Sequence, residues 1–506
     1  MVKKKEIIIF SIVAIICISI FSIALAQKQL QNDTFYTIKI GEHIASTKTI
    51  DMKDPFSWHE NLTYTYPHWL YDLGIYLIYN MGFNINGIDG GMLAIYISTC
   101  LLTTILGLLI YFTNVKVNKN RVISFFLTMI TIYLMRTFLA ARAQLATYIL
   151  FVLEIYFIER FLERKKLRYG IILFAIATLI ANLHAAVWYM FFIITLPYFV
   201  EYIIVVILER FNKFKGKITK IEFVKRDNVK WLLLIIVICM LAGLLTPQNT
   251  YEPYTHIIKL MQGNTTKNIS EHKPIVLIES KETLIYIVII IGFLIFTKAK
   301  ITLKDLFMLG GLMLMTLISR RQRSMLFIIG IYSVINILNM YLNTKKENFN
   351  IEATKIISKY YSVISILMIT LSFGFNFYGN KNKIDYINQN KYPVRAAQYI
   401  LQELDVENIR LFNGYNYGSY LLFKNIPVFI DSRCDLYTPE FNDKDIFMDT
   451  HNITNLLTNY DAKFNEYKIT HIITEINSRL DMVLSMDEKY RNIYIDSKFC
   501  IYEKIK

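Results

Sequence analysis

A polytopic α-helical membrane protein with a C-terminal extracytoplasmic α/β domain is the fold class this sequence predicts, and three observations predict it. Of 506 residues, 54% are hydrophobic and 19% charged, against roughly 45–50% and 25% in soluble domains. The apolar residues gather into runs such as 7–27, which carries no charge before Lys28 and matches the ~20 residues that cross a bilayer. Beyond residue 379 the runs stop, and short apolar strand-like and helix-like segments alternate with polar ones. With 9 Pro, 19 Gly and no repeat of fixed period, collagen-like and low-complexity classes are excluded.

The first span follows Lys3, Lys4 and Lys5 and ends near Ala24-Leu25-Ala26, which has the small-x-small form of a signal-peptidase site. The run exceeds the usual 7–15 residues of a signal core, so an uncleaved helix with a cytoplasmic N-terminus is expected. Further spans are expected at 90–113, 122–139, 143–158, 169–186, 187–208, 231–248, 283–297, 305–319, 324–342 and 357–378. The cytoplasmic loops then hold the densest basic runs, among them Arg160, Arg164, Lys165, Lys166 and Arg168, as the positive-inside rule requires. Eleven spans place residues 380–506 outside.

Two outer loops are long enough to fold, 28–89 and 247–282. The first is acidic, with Asp33, Glu42, Asp51, Asp54, Glu60, Asp72 and Asp89. Within it, residues 69–82 are too short to span and too apolar for a solvated loop, which predicts an interfacial helix. In the C-terminal part, helices are expected at 394–404, 453–460 and 479–489, and strands at 409–413, 428–431, 471–474 and 499–503. The domain division is therefore 1–379, membrane, and 380–506, α/β.

Residues 380–506 carry 16 Lys and Arg against 18 Asp and Glu, a net of −2, so residues 1–379 hold +17 in a chain whose net is +15. The basic excess thus belongs to the membrane part and reports orientation, and no nucleic-acid partner is indicated. The five cysteines form no CxxC, so neither a zinc site nor a redox motif is supported. A Cys434–Cys500 bridge is open to an extracytoplasmic domain, and sequence does not decide it.

Arginine on the outer side asks for a chemical reason. Arg136 and Arg142 flank the turn between the third and fourth spans, and Arg320, Arg321 and Arg323 form the turn between the ninth and tenth. A guanidinium at membrane depth faces a cavity or a partner, and it matches phosphate oxygens two at a time, so these five are candidates for binding a lipid phosphate or pyrophosphate. Snorkelling to headgroups or pairing with the acidic loop is the alternative. Asp33, just past the first span, is the candidate carboxylate to take a proton from an attacking hydroxyl. Asp54, His59, His68, Asp72, His184 and Tyr417 are candidates to line the substrate site. The histidines show no HxxxH or HExxH spacing, so no metal is expected, with Glu252, Glu271, Glu279 and Glu282 left as acids that could add to one.

These features together resemble the GT-C superfamily of integral membrane glycosyltransferases, and in particular a bacterial branch whose first outer loop reads D-x-aromatic … G … DPFS … HxWL. The residues that carry the resemblance are Asp33-Thr34-Phe35-Tyr36, Gly41, Asp54-Pro55-Phe56-Ser57 and Pro67-His68-Trp69-Leu70. They continue with Asn182-Leu183-His184, Asn413 to Leu421 and Phe429-Ile430-Asp431-Ser432-Arg433. The Gly414–Gly418 segment is similar in position to the WWDYG motif of oligosaccharyltransferase catalytic subunits, with Asn416 where Asp would stand. The resemblance implies a polyprenyl-phosphate sugar as donor, Asp33 as catalytic residue, a glycan or protein hydroxyl as acceptor, and a role in cell-envelope glycan assembly. The departure at Asn416 weighs against peptide recognition, and no acid near Ala140–Gln144 supplies the second metal ligand of oligosaccharyltransferases. A polysaccharide polymerase or ligase shares the same donor chemistry. A transporter or scaffold for lipid-linked glycans is the non-enzymatic alternative; the repeated halves and broken helices frequent in transporters are not seen.

Overall fold

The computed structural model describes residues 4–84, 89–118, 120–211, 220–248, 251–262, 269, 271–276, 278–345, a few positions between 363 and 374, and 385–505. Helices occupy the expected spans in order: Lys4–Leu25, Gly90–Asn118, Arg121–Met135, Ala143–Arg164, Leu167–Leu183, Tyr189–Phe211, Val229–Cys239, Lys281–Phe296, Leu303–Ile318, and Arg323–Ile328 followed by Gly330–Lys345. The eleventh, expected at 357–378, lies outside the described residues apart from isolated positions. Among the described residues, four helices are long and apolar enough to cross a membrane: Ile7–Leu25, Gly90–Val117, Arg121–Phe138 and Ala185–Arg210. Arg320–Ile328 and Gly330–Leu342, bent by 42°, make a fifth if they form one span. By that measure a count of eleven is not established, because Leu167–Leu183 and Val229–Leu244 are short and Ala143–Arg164 carries five charged residues, Glu154, Glu159, Arg160, Glu163 and Arg164.

The chain divides into two compact units, Met1–Gln27 with Tyr96–Leu245 and Ile269–Ile384, and Lys28–Ile95 with Thr246–Asn268 and Asp385–Lys506. In the first unit, local chemistry sets the helix ends. Asn120 accepts from the backbone N–H groups of Val122 and Ile123, and Lys165, at φ 45°, ends Ala143–Arg164 in the left-handed conformation. Strands β1 (Ile221–Glu222) and β2 (Ile301–Thr302) pair in parallel. Beside them, buried Lys304 meets Asp305 at 3.0 Å and Glu159 at 3.2 Å.

In the second unit, helix Asn32–Thr47 packs on helix Trp69–Asn80, the segment expected as an interfacial helix. The approach is close because position 41 has no side chain: a Cβ there would lie 2.0 Å from the Asp72 carbonyl oxygen. Residues 385–505 build a four-stranded sheet from β3 (Leu411–Phe412), β4 (His471–Glu475), β5 (Tyr490–Ile495) and β6 (Phe499–Lys504), in the order β3-β4-β6-β5. The first pair is parallel and the others antiparallel. Helices Val394–Glu403 and Tyr415–Phe423 accompany the sheet.

Two expectations are corrected here, and one open question is answered. Residues 428–431 are not a strand of this sheet. Val428 makes an isolated bridge to Ser57, and Asn413 serves as its other neighbour, accepting from Phe429 N–H at 2.8 Å and donating to Ile430 O at 2.7 Å. The helix expected at 453–460 is two helices, Ile446–Thr454 and Tyr460–Tyr467. Leu456 turns left-handed at φ 56°, and Asn459 caps the next helix by accepting from Ala462 N–H. Cys434 and Cys500 are free thiols; Cys500 lies against the Asp481 carboxylate at 3.1 Å.

Candidate functional site

In the first unit the outer arginines divide by partner. Arg136 makes a two-point ion pair with Glu282 at 2.7 and 2.6 Å and stacks on Tyr133. Arg142 faces Glu271 at 3.5 Å, and Arg320 pairs with Glu279 at 3.2 Å. Arg323 donates to the Arg320 carbonyl and the Ser280 hydroxyl and lies over Phe138. Arg321 is held differently. A guanidinium can only donate, so the Gln144 amide turns its oxygen to it and accepts from Nε at 2.7 Å and Nη2 at 2.6 Å. His184 Nε2 lies 3.4 Å from Nη2. Among the described residues no carboxylate pairs with Arg321 or Arg323.

The turn that carries these arginines is shaped by chain running beside it. Arg320 N–H donates to Lys273 O and Arg321 N–H to Glu271 O, so the segment 271–275 and the short helix Arg320–Gln322 brace each other. His184 ends helix Leu167–Leu183, where Asn182 Nδ2 ties the helix to Leu245 O at 3.1 Å. Of the six arginine and histidine candidates in this unit, the fold brings Arg321 and His184 into contact.

In the second unit, Asp33 is half-buried in the first turn of Asn32–Thr47, where the helix dipole and free N–H groups favour a carboxylate. The turn is fastened on both sides: Asn32 Nδ2 donates to Tyr415 O at 3.0 Å, and Phe35 packs edge-on against Tyr392 and Tyr420. Burial and then the Asp33 charge push the Tyr392 phenol upward. One helical turn on, Tyr36 OH meets His68 Nε2 at 3.1 Å, and His68 Nδ1 meets Asp72 at 2.8 Å. Burial raises Asp72, with His68 and Arg433 pulling the other way.

The remaining candidates are built into packing. Asp54 caps its own turn through Phe56 and Ser57 and meets Arg433 Nη1 at 2.7 Å, while Arg433 also grips Asp431 through Nε and Nη2. Burial pushes the Asp54 carboxyl up, but Arg433 and Ser57 outweigh it and hold it below its ordinary value. His59 bonds Phe429 O at 2.8 Å, and burial drops it to about 4, so it is neutral. Tyr417 is buried and donates to Ile473 O. The Asn413–Leu421 motif is closely packed at Gly418, where a Cβ would fall 1.9 Å from Ile430 O, while Asn416 is exposed.

Two residues of interest escaped the sequence reading. Gln144 carries no charge and sat unremarked among apolar neighbours. His256, on helix Glu252–Gln262, is buried with Nδ1 3.6 Å from Glu252 and Nε2 3.3 Å from Asp435. Burial disfavours its imidazolium, but Asp435 and Glu252 more than offset this and bring it up to about 9. The signal was the i, i+4 spacing of Glu252 and His256; Asp435 could not be paired with them from sequence. Among the described residues no group of three His, Cys, Asp or Glu is placed to hold a metal.

The arrangement belongs to a known architecture. The chain is similar to the crystal structure of the Archaeoglobus fulgidus oligosaccharyltransferase in complex with zinc and sulfate. That match has a TM-score of 0.52 and 10% identity and covers 97% of this chain and 73% of that one. It is also similar to the archaeal oligosaccharyltransferase AglB from Archaeoglobus fulgidus in complex with an inhibitory peptide and a dolichol-phosphate, at TM-score 0.54 and 10% identity over 98% and 74% of the two chains. No protein-family profile and no curated protein matches the sequence. At this identity the likeness shows the fold, which is GT-C-like and mostly helical.

Proposed function

We propose that this protein is a membrane glycosyltransferase that moves a sugar from a polyprenyl-phosphate-linked donor to a hydroxyl acceptor on the outer face of the membrane, in cell-envelope glycan assembly. The observation that carries the reading is Arg321, a guanidinium fixed by the uncharged Gln144 amide beside His184 in a chain of GT-C-like fold. An uncompensated, oriented guanidinium suits a phosphate. The dolichol-phosphate bound by the archaeal neighbour supports a lipid-linked donor.

In this reading the acceptor oxygen attacks the anomeric carbon and forms the new glycosidic bond. The bond from that carbon to the phosphate oxygen breaks, and its electron pair leaves with the lipid phosphate. Asp33 takes the acceptor's proton. Arg321, with Arg323 near it in the same turn, stabilises the charge growing on the leaving phosphate. One carboxylate is enough because phosphate departs readily, unlike the sugar oxygen of a glycoside. The N-terminus is cytoplasmic and residues 380–506 are extracytoplasmic. No metal is invoked.

The test is turnover of a panel of polyprenyl-phosphate and polyprenyl-pyrophosphate sugars, read by mass spectrometry of the lipid fraction. Wild type consumes one donor, Asp33→Asn binds it without consuming it, and Arg321→Ala binds it weakly. Binding without consumption by the wild type, even with cell-envelope acceptors present, would transfer the assignment to a transporter or scaffold.

A further inference from the structure

The five outer arginines pose a problem of charge. A carboxylate partner fixes a guanidinium best, because charge-assisted bonds are roughly twice as strong as neutral ones. Arg136, Arg142 and Arg320 have such partners in Glu282, Glu271 and Glu279. Arg321 sits in the same turn and is bound along its Nε/Nη2 edge by one side chain, yet that side chain is an amide. Gln144 is 7% exposed, in the first turn of helix Ala143–Arg164. A glutamate there would have the same length and the same acceptor position, and would hold Arg321 more tightly. The amide forgoes that attraction, and what it preserves is the positive charge. His184 Nε2 lies 3.4 Å from Nη2, while Nη1 has no hydrogen-bond partner among the described residues.

We propose that Gln144 is the positioning residue of an anion site: a neutral clamp that fixes the Arg321 guanidinium edge-on without neutralising it, leaving Nη1 and the full charge for a phosphate. The inference rests on the reading of Arg321 as a phosphate-binding group and assigns that site its specificity for an anion. A carboxylate at 144 would turn Arg321 into one more internal ion pair, like its three neighbours.

The experiment is equilibrium binding of a sugar-free polyprenyl phosphate to the full-length protein in detergent, with thermal unfolding measured beside it. For Gln144→Glu the affinity falls tenfold or more while the unfolding temperature holds or rises, a combination that a merely structural role does not give. Arg321→Ala shows a comparable loss of affinity. Wild-type affinity in Gln144→Glu with Arg321→Ala impaired overturns the clamp, and so does a loss of affinity accompanied by a lowered unfolding temperature. Wild-type affinity in both variants overturns the phosphate reading of Arg321 and the clamp with it. Should Gln144→Glu not fold, Gln144→Met decides, being neutral and of similar length but without the acceptor. A threefold or greater loss supports the clamp, and unchanged affinity overturns it.

Discussion

Replacing Arg433 by methionine tests how the first outer loop is joined to the C-terminal residues. Arg433 is 3% exposed and bonds Asp54 at 2.7 Å, Asp431 at 2.9 and 2.6 Å, and lies over the rings of Phe56 and Tyr64. Methionine fills much of the volume but leaves two buried carboxylates facing each other without a cation. Breaking a buried pair in this way costs roughly 3–5 kcal/mol. Asp54→Asn should cost less, about 1–3 kcal/mol, because Arg433 keeps Asp431 and the amide oxygen can still accept. For a unit on the order of 200 residues each kcal/mol lowers the melting temperature by roughly 2–4 °C, so Arg433→Met should melt about 6–20 °C early. The assay is thermal unfolding of the detergent-solubilised chain. A drop below about 2 °C for Arg433→Met, or an equal drop for Asp54→Asn, would refute the accounting. The pH dependence has a definite sign. Asp54 is held below its ordinary value in the fold, so its contribution is complete above the ordinary carboxyl range and is lost as pH falls through the depressed value.

The other predictions are simpler to state. His256 titrates near 9 in the fold against 6.5 ordinarily, so its contribution is complete below 6.5 and disappears as pH rises through 9. Melting scans from pH 6 to 10 should show that decline in wild type and lose it in His256→Gln. Gly418→Ala, with a Cβ 1.9 Å from Ile430 O, should destabilise by roughly 1–3 kcal/mol or more, visible in the same scans. Arg136→Ala removes a half-exposed pair with Glu282 worth at most ~1 kcal/mol, so donor binding should stay within about twofold of wild type. A large loss there would place Arg136 in the donor site. Turnover should persist in excess chelator, and its loss with restoration by a divalent cation would bring a metal into the mechanism.

The helices were legible because long apolar runs leave few alternatives, and the alternation of segments after residue 379 announced an α/β domain. Strand β5 was missed because Tyr490-Arg491-Asn492 is polar and two of its residues are exposed; its pairing with β6, not its own pattern, makes it a strand. The arginines could be picked out as unusual, but their fates could not. Glu282 lies 146 residues from Arg136, and nothing local distinguishes Arg136 from Arg321. Asp54 and His59 were legible only as candidates to line the substrate site. Their cluster turns out to be a joint, with Asp54 reaching Arg433 across 379 positions of sequence. Asp33 is the reverse case: the sequence places it just past the first span, and the structure adds that it stands in the first turn of helix Asn32–Thr47, an element that the loop's polar composition had hidden.

That joint sets a limit on dissection. Trp58 donates to Leu411 O, His59 bonds Phe429 O, and Thr63 and Asn442 exchange hydrogen bonds. A fragment beginning at Asp385 would therefore lack the side of its own interior that residues 54–63 provide. Expressed alone it would present Val428, Phe429 and Arg433 to water and tend to aggregate, whereas the same fragment fused behind residues 28–84 would recover them. Antibodies, proteases and truncation libraries aimed at the C-terminal residues should accordingly be judged against the whole chain.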